Sequence, residues 1–121
     1  MDIAVRNHQE SHILDVNGEL DLYNAYRLQE AVRAILEAGG RGVVLNLKGV
    51  RFIDSSGVAS LLSVNAMLAG GHTLRICNIS RAVQRVFDLT RLSLFLPIVA
   101  SEPDALESIN AARKSDPLVL P

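Results

Sequence analysis

The sequence predicts an α/β domain: a mixed, mainly parallel sheet that begins with a β-hairpin. Three observations lead there. Apolar runs of strand length alternate with longer segments whose apolar residues recur at helical spacing. The mid-run residues Leu14, Leu45 and Ile76 follow one another at intervals of 31 residues, and Ala38-Gly39-Gly40 and Ala69-Gly70-Gly71 keep the same interval. A period of ~30 residues is one strand-plus-helix unit. The first two β-like runs, in contrast, are separated only by a polar turn. Successive strand–helix units imply parallel pairing through right-handed crossovers, and the hairpin adds one antiparallel strand.

Taken in order, Ile3-Ala4-Val5 and Ile13-Leu14-Asp15-Val16 are the hairpin strands, with Asn7-His8-Gln9-Glu10-Ser11 as the turn. Val16 to Asp21 closes the second strand. Leu22 to Ala38 carries Ala25, Leu28, Val32, Ile35 and Leu36 on one helical face, with Asp21 or Asn24 as the cap. Gly39-Gly40 ends this helix, because a helix C-terminus often needs the left-handed conformation that glycine adopts. Gly42 to Leu47 is the next strand, Val58 to Ala69 the second helix and Thr73 to Cys77 a further strand. Ser80 caps a third helix with Val83, Val86 and Phe87 inward. Leu92 to Val99, interrupted by Pro97, is a last strand at a sheet edge. Ser101-Glu102-Pro103-Asp104 resembles a capping box and opens a fourth helix with Leu106 and Ile109 facing in. Arg113 to Pro117 reads as its frayed end, and Leu118-Val119-Leu120 as an apolar tail.

The organising stretch is Val50-Arg51-Phe52-Ile53-Asp54-Ser55-Ser56-Gly57-Val58, where a strand gives way to a helix. In α/β sheets ligands and partners dock at that edge. Asp54 or Ser55 can serve as an N-cap, since side-chain oxygens accept the unpaired first-turn N–H groups. Capping leaves Ser56 over, beside Gly57 at a turn expected to be uncrowded.

Composition excludes several functions. One domain accounts for 121 residues. A net charge of −1 offers no electrostatic handle on nucleic acid or an anionic membrane. The lone Cys77 rules out an internal disulfide and fits a reducing compartment. The start, Met1-Asp2-Ile3-Ala4-Val5-Arg6, is too short and charged for a signal peptide, and no apolar run approaches the ~20 residues that span a bilayer. A cytoplasmic location and no membrane insertion are therefore expected.

Catalytic patterns are missing. A nucleophile elbow needs glycine two residues either side of its serine, where Ser56 has Asp54 and Val58. His8, His12 and His72 fall before strands or in turns without a carboxylate at fixed spacing, and no metal-ligand pair stands out. The Gly39-Gly40 and Gly70-Gly71 pieces follow helices, whereas phosphate cradles precede them. This argues against a nucleotide-binding or hydrolysing protein. Neither an enzyme nor a cofactor is expected.

From Ser55 to Leu74 the chain carries no charged residue. Ser56, Ser60, Ser63 and Met67, spaced four, three and four, form one helical stripe. Either the helix is almost wholly buried, with serines bonding back to its carbonyls, or the stripe is a neutral docking face, since interface centres are depleted in charge.

Gly18-Glu19-Leu20-Asp21, Val44-Leu45-Asn46-Leu47, Phe52 to Gly57, Ile79-Ser80-Arg81-Ala82-Val83 and Val86-Phe87-Asp88-Leu89-Thr90 together resemble the STAS domains of bacterial anti-sigma factor antagonists. The resemblance spans Ile3 to Ile109, giving a single STAS domain over residues 1–112 and a tail over 113–121. It implies a mixed, mainly parallel sheet of four to five strands with four to five helices. It also implies a non-catalytic role: binding an anti-sigma factor that is a serine kinase, release on phosphorylation, and resetting by a serine phosphatase. Carried over residue by residue, Ser56 is the phosphoacceptor. Asp54 and Ser55 shape the turn, and Asp21 lies at the same sheet end. With the helical stripe, the expected docking residues are Asp21, Asp54, Ser55, Ser56, Gly57, Ser60, Ser63 and Met67. The alternative is a constitutive STAS subunit of a membrane lipid-transport or other transporter assembly, using the same helix without phosphorylation.

Overall fold

The computed structural model describes residues 1–114. Its strands form one five-stranded sheet in chain order: β1 (Asp2–His8), β2 (Ser11–Leu20), β3 (Gly42–Ile53), β4 (Thr73–Cys77) and β5 (Ile98–Val99). β1 and β2 pair antiparallel and all later pairs are parallel. The helices are α1 (Ala25–Glu37), α2 (Ser55–Leu68), α3 (Arg81–Thr90) and α4 (Glu102–Lys114), with a 3-10 turn at Leu92–Leu94. The 31-residue interval emerges as register: Leu14 pairs with Leu45, and Leu45 with Ile76.

Both faces of the sheet are covered. The larger core lies between the sheet and α1, α2 and α3, where Leu28, Val32, Leu61, Val64, Val83 and Phe87 meet Leu14, Leu45, Leu47 and Ile76. The smaller one, Ile13, Val44, Cys77, Ala105 and Ile109, lies under α4. Val43, Val44 and Leu45 are therefore all fully buried, which explains a continuous apolar run instead of alternation. A charged cluster fixes the start of α4 to β1, β2 and β3. The Arg6 guanidinium donates to Asp15 (2.5 Å) and to Glu102 (2.5 Å), and Asn46 also donates to Glu102 (3.4 Å). At the far end of α4, Arg113 pairs with Glu10.

β3 extends to Ile53, well past the expected Leu47, because two register shifts against β2 re-phase it. Its residues facing the larger core are Val43, Leu45, Leu47, Val50 and Ile53, so the spacing changes from two to three after Leu47. An inserted residue in a bulge turns every later side chain over. Phe52, in phase with Val50 by simple alternation, is therefore half exposed.

Other boundaries also differ from expectation. α1 starts at Ala25, since residues 21–24 form a hydrogen-bonded turn. α2 starts at Ser55, a turn earlier than expected, because Asp54 is its cap. The last strand is reduced to Ile98–Val99, as Leu92–Leu94 coil into the 3-10 turn. Val86 and Leu106 do face in as expected, half-buried and packed against the larger and the smaller core. His12 lies within β2, not in a turn. Arg113 and Lys114 continue α4, so the expected boundary after residue 112 falls inside a helix; Ser115 to Pro121, including Leu118 to Leu120, lie outside the described residues.

Candidate functional site

The β3–α2 turn is assembled by Asp54. Its backbone is extended (φ −108°, ψ −173°), and its Oδ1 accepts from Gly57 N at 3.0 Å, satisfying a first-turn donor of α2. Its Oδ2 accepts from Leu22 N at 3.1 Å, and its own N donates to Leu20 O at 3.3 Å. One carboxylate thus joins two turns that lie 32 residues apart in sequence. The second turn is self-bonded: Asp21 Oδ1 accepts from Tyr23 N (3.0 Å), and Asn24 Oδ1 accepts from Asp21 N (3.0 Å). Because Leu20 pairs with Ile53, Asp21 and Asp54 stand side by side at one end of the sheet.

Gly57 is needed for space. A Cβ there would lie 2.2 Å from Leu20 O and 2.7 Å from Ile53 Cγ1. The turn is crowded on its inner side, contrary to expectation, and Gly57 is buried; it lets α2 approach β2 and presents no surface to a partner.

With Asp54 as cap, the serine hydroxyls are left over. Ser55 is exposed and Ser56 half-buried, and among the described residues neither side chain takes part in a hydrogen bond. The Ser56 hydroxyl stands in the first turn of α2, where unpaired N–H groups and the helix dipole favour negative charge. Unmodified, the helix brings no charge of its own from Ser55 to Leu68.

The expected stripe divides. Ser60 is fully buried, and its Oγ donates to Gly57 O at 2.7 Å, so it is a back-bonded core serine and not a docking residue. Met67 is half-buried against the larger core, and Ser63 is exposed. The face open to solvent is Ser55, Ala59, Leu62, Ser63 and Ala66, a neutral strip displaced from the one expected. Apolar side chains that the sequence reading missed stand on the turn that Asp54 ties to the start of α2: Leu22 is 67% and Tyr23 84% exposed. Elsewhere Tyr26 and Phe52 are also exposed. A Leu-Tyr pair directly after Asp21, outside the periodic face of α1, was the available signal. For Phe52 there was none, as the bulge that exposes it depends on β2.

No three His, Cys, Asp or Glu side chains among the described residues gather so as to hold a metal ion. None of the described helices is long and apolar enough to cross a membrane. The groups with shifted acidity lie away from this turn. The Arg6 guanidinium holds the Asp15 and Glu102 carboxyls below the usual range, and burial pushes the Cys77 thiol up to about 11.

The STAS domain family model matches residues 2–105. The chain is 29% identical over 93 residues to the anti-sigma-B factor antagonist of Staphylococcus epidermidis, covering 76% of this chain and 86% of that one. It is 27% identical over 111 residues to the anti-sigma F factor antagonist of Paenibacillus polymyxa, covering 90% and 95%. Among solved structures, an anti-sigma factor antagonist from Mycobacterium paratuberculosis superposes with a TM-score of 0.81 at 25% identity, over 90% of this chain and 93% of that one.

Proposed function

Since the chain belongs to the STAS domain family, we propose that it is an anti-sigma factor antagonist switched by phosphorylation of Ser56. Unmodified, it binds an anti-sigma factor serine kinase through the open face of α2 and the Leu22–Tyr23 turn. The kinase phosphorylates Ser56 and the complex separates; a serine phosphatase restores the hydroxyl. Binding, not catalysis, is this chain's part. The observation that carries the reading is the unbonded, partly exposed Ser56 hydroxyl at the head of a helix already capped by Asp54.

Charge explains how one phosphate can work the switch. It adds about −1.5 to −2 units at neutral pH. At the N-terminus of α2 the helix dipole favours that charge, and no fold contact is displaced, so the modified chain stays folded. In the complex the dianion would face a neutral, desolvated surface, and an unpaired buried charge costs several kcal/mol. Each ~1.4 kcal/mol is tenfold in affinity, so one phosphate can release the partner.

Incubation with the cognate kinase and ATP, followed by intact-mass and peptide-mass analysis, tests this. The expected result is one phosphate, on Ser56, absent from Ser56→Ala, with kinase affinity reduced at least about a hundredfold. Phosphate on Ser55 alone, or equal affinity of the modified and unmodified proteins, overturns it. Co-purification with a transporter ATPase unaffected by Ser56→Ala would favour the constitutive-subunit alternative.

A further inference from the structure

A second apolar surface lies where α3 runs into the 3-10 turn. Leu89 is 86%, Leu94 76% and Phe95 68% exposed, large values for side chains of this size. They do not belong to a loose loop. Leu92 and Leu96, between and beside them, are buried in the larger core, and Arg91 reverses the chain in the left-handed conformation (φ +58°). Asn65 Nδ2 also donates to Phe95 O at 3.4 Å, bringing the turn against the C-terminal half of α2. Ser56 is nine residues up that helix from Asn65, about 14 Å away along its axis.

The charges around this surface are one-sided. Arg81, Arg85 and Leu89 occupy one exposed row of α3 at four-residue spacing, and Arg91 caps the helix. Among the described residues none of the three arginines has an ion-pair partner. The one acid on α3, Asp88, accepts from Gln84 at 2.7 Å, and α2 alongside carries no charge at all.

We propose that this face docks an acidic amphipathic helix of a partner protein, its apolar side on Leu89, Leu94 and Phe95 and its carboxylates on Arg85 and Arg91. The row of groups one helical turn apart is what a packed helix presents and receives. A second copy of this chain fits poorly, because a two-fold contact would bring arginine against arginine. A lipid plane suits a ring of basic groups around an apolar tip better than a row along a helix.

The test is a titration of the isotope-labelled full chain, followed by amide chemical shifts, with two synthetic helical peptides. Both carry leucine on one face; the other face is glutamate in one and lysine in the other. The acidic peptide should move the amides of Arg85, Leu89 and Phe95 saturably, and the basic one should not. The Arg85→Glu/Arg91→Glu double variant, both positions being exposed, should stay folded by circular dichroism. It should bind the acidic peptide about tenfold more weakly and gain affinity for the basic one. Leu89→Ser should weaken the acidic peptide without reversing the preference. Equal binding of the two peptides, no saturable shift, or displacement of the acidic peptide by anionic phosphatidylglycerol vesicles would overturn the proposal. Ser56→Glu should bind the acidic peptide like the parent; a loss there would place the peptide at the other site and overturn it too.

Discussion

Replacing Gly57 with alanine separates local preference from tertiary constraint. Helix propensity favours Ala over Gly by up to about 1 kcal/mol, so α2 considered alone would be stabilised. The structure reverses the sign. The added methyl would sit 2.2 Å from Leu20 O, roughly 1 Å inside van der Waals contact, and 3.0 Å from Leu20 C, and both are backbone atoms that no rotamer change can move. Relief requires the start of α2 to withdraw from the end of β2. That would stretch Asp54 N to Leu20 O and Leu22 N to Asp54 Oδ2, at 3.3 and 3.1 Å. Overpacking costs about 1–3 kcal/mol and each weakened hydrogen bond about 1. The net expectation, after the propensity gain, is a loss of about 3 kcal/mol. With a urea m-value near ~1.5 kcal/mol/M, the midpoint should fall by about 2 M, measured by circular dichroism. A midpoint equal to or above the parent's would show that β2 and α2 are not in contact as described, and with it the packing beneath Ser56 would fail.

Three further outcomes follow from the same contacts. Asp54→Ala removes the cap and the tie to Leu22, so stability should fall by about 2 kcal/mol, and the amides of Gly57 and Leu22 should lose hydrogen-exchange protection together; unequal loss would break the two-turn linkage. Arg6 lowers the pKa values of Asp15 and Glu102 in the folded state. That stabilisation is therefore fully present above the unfolded carboxylate range of about 4 and is lost as pH falls through the lower folded values. Arg6→Leu should cost no more than about 1–2 kcal/mol at pH 7, because Arg6 is half exposed, and should flatten the decline in stability on the acid side; an unchanged acid limb would refute the cluster's role. The Cys77 thiol, fully buried with its pKa up at about 11, should react with a disulfide reagent at pH 8 only as fast as the protein opens; rapid labelling of the native state would contradict its placement under α4.

Much of the fold was legible because it is locally encoded. Ser80 accepts from Val83 N and Ser101 from Asp104 N, as serine at a helix start predicts. Gly39 ends α1 at φ +94°. Of the two accounts of the uncharged helix, burial with back-bonded serines describes part of α2, and the rest is a neutral surface open to solvent. Ser60 bonds back inside the core, while Ser63 and Leu62 lie open. The stripe was misplaced because spacing alone gives a helix's relative phase, not which side meets the sheet. That a serine would be left over at the Asp-Ser-Ser-Gly turn was readable; which residue caps was not, since Asp54 gains a second donor, Leu22 N, from another turn.

The sequence by itself determined the alternation of strands and helices, their chain order and the 31-residue interval that aligns Leu14, Leu45 and Ile76. These are properties of single segments and their spacing, carried by periodicity and caps. Tertiary structure alone decided the two register shifts in β3, the exposure of Phe52, the pressure of Leu20 O on Gly57 and the joining of Asp54 to Leu22. Each of these depends on a backbone group of β2 or the turn after it, more than 30 residues upstream in sequence. A local pattern can state that a residue is apolar or can cap a helix. The group it meets is fixed only when the parallel strands are packed side by side.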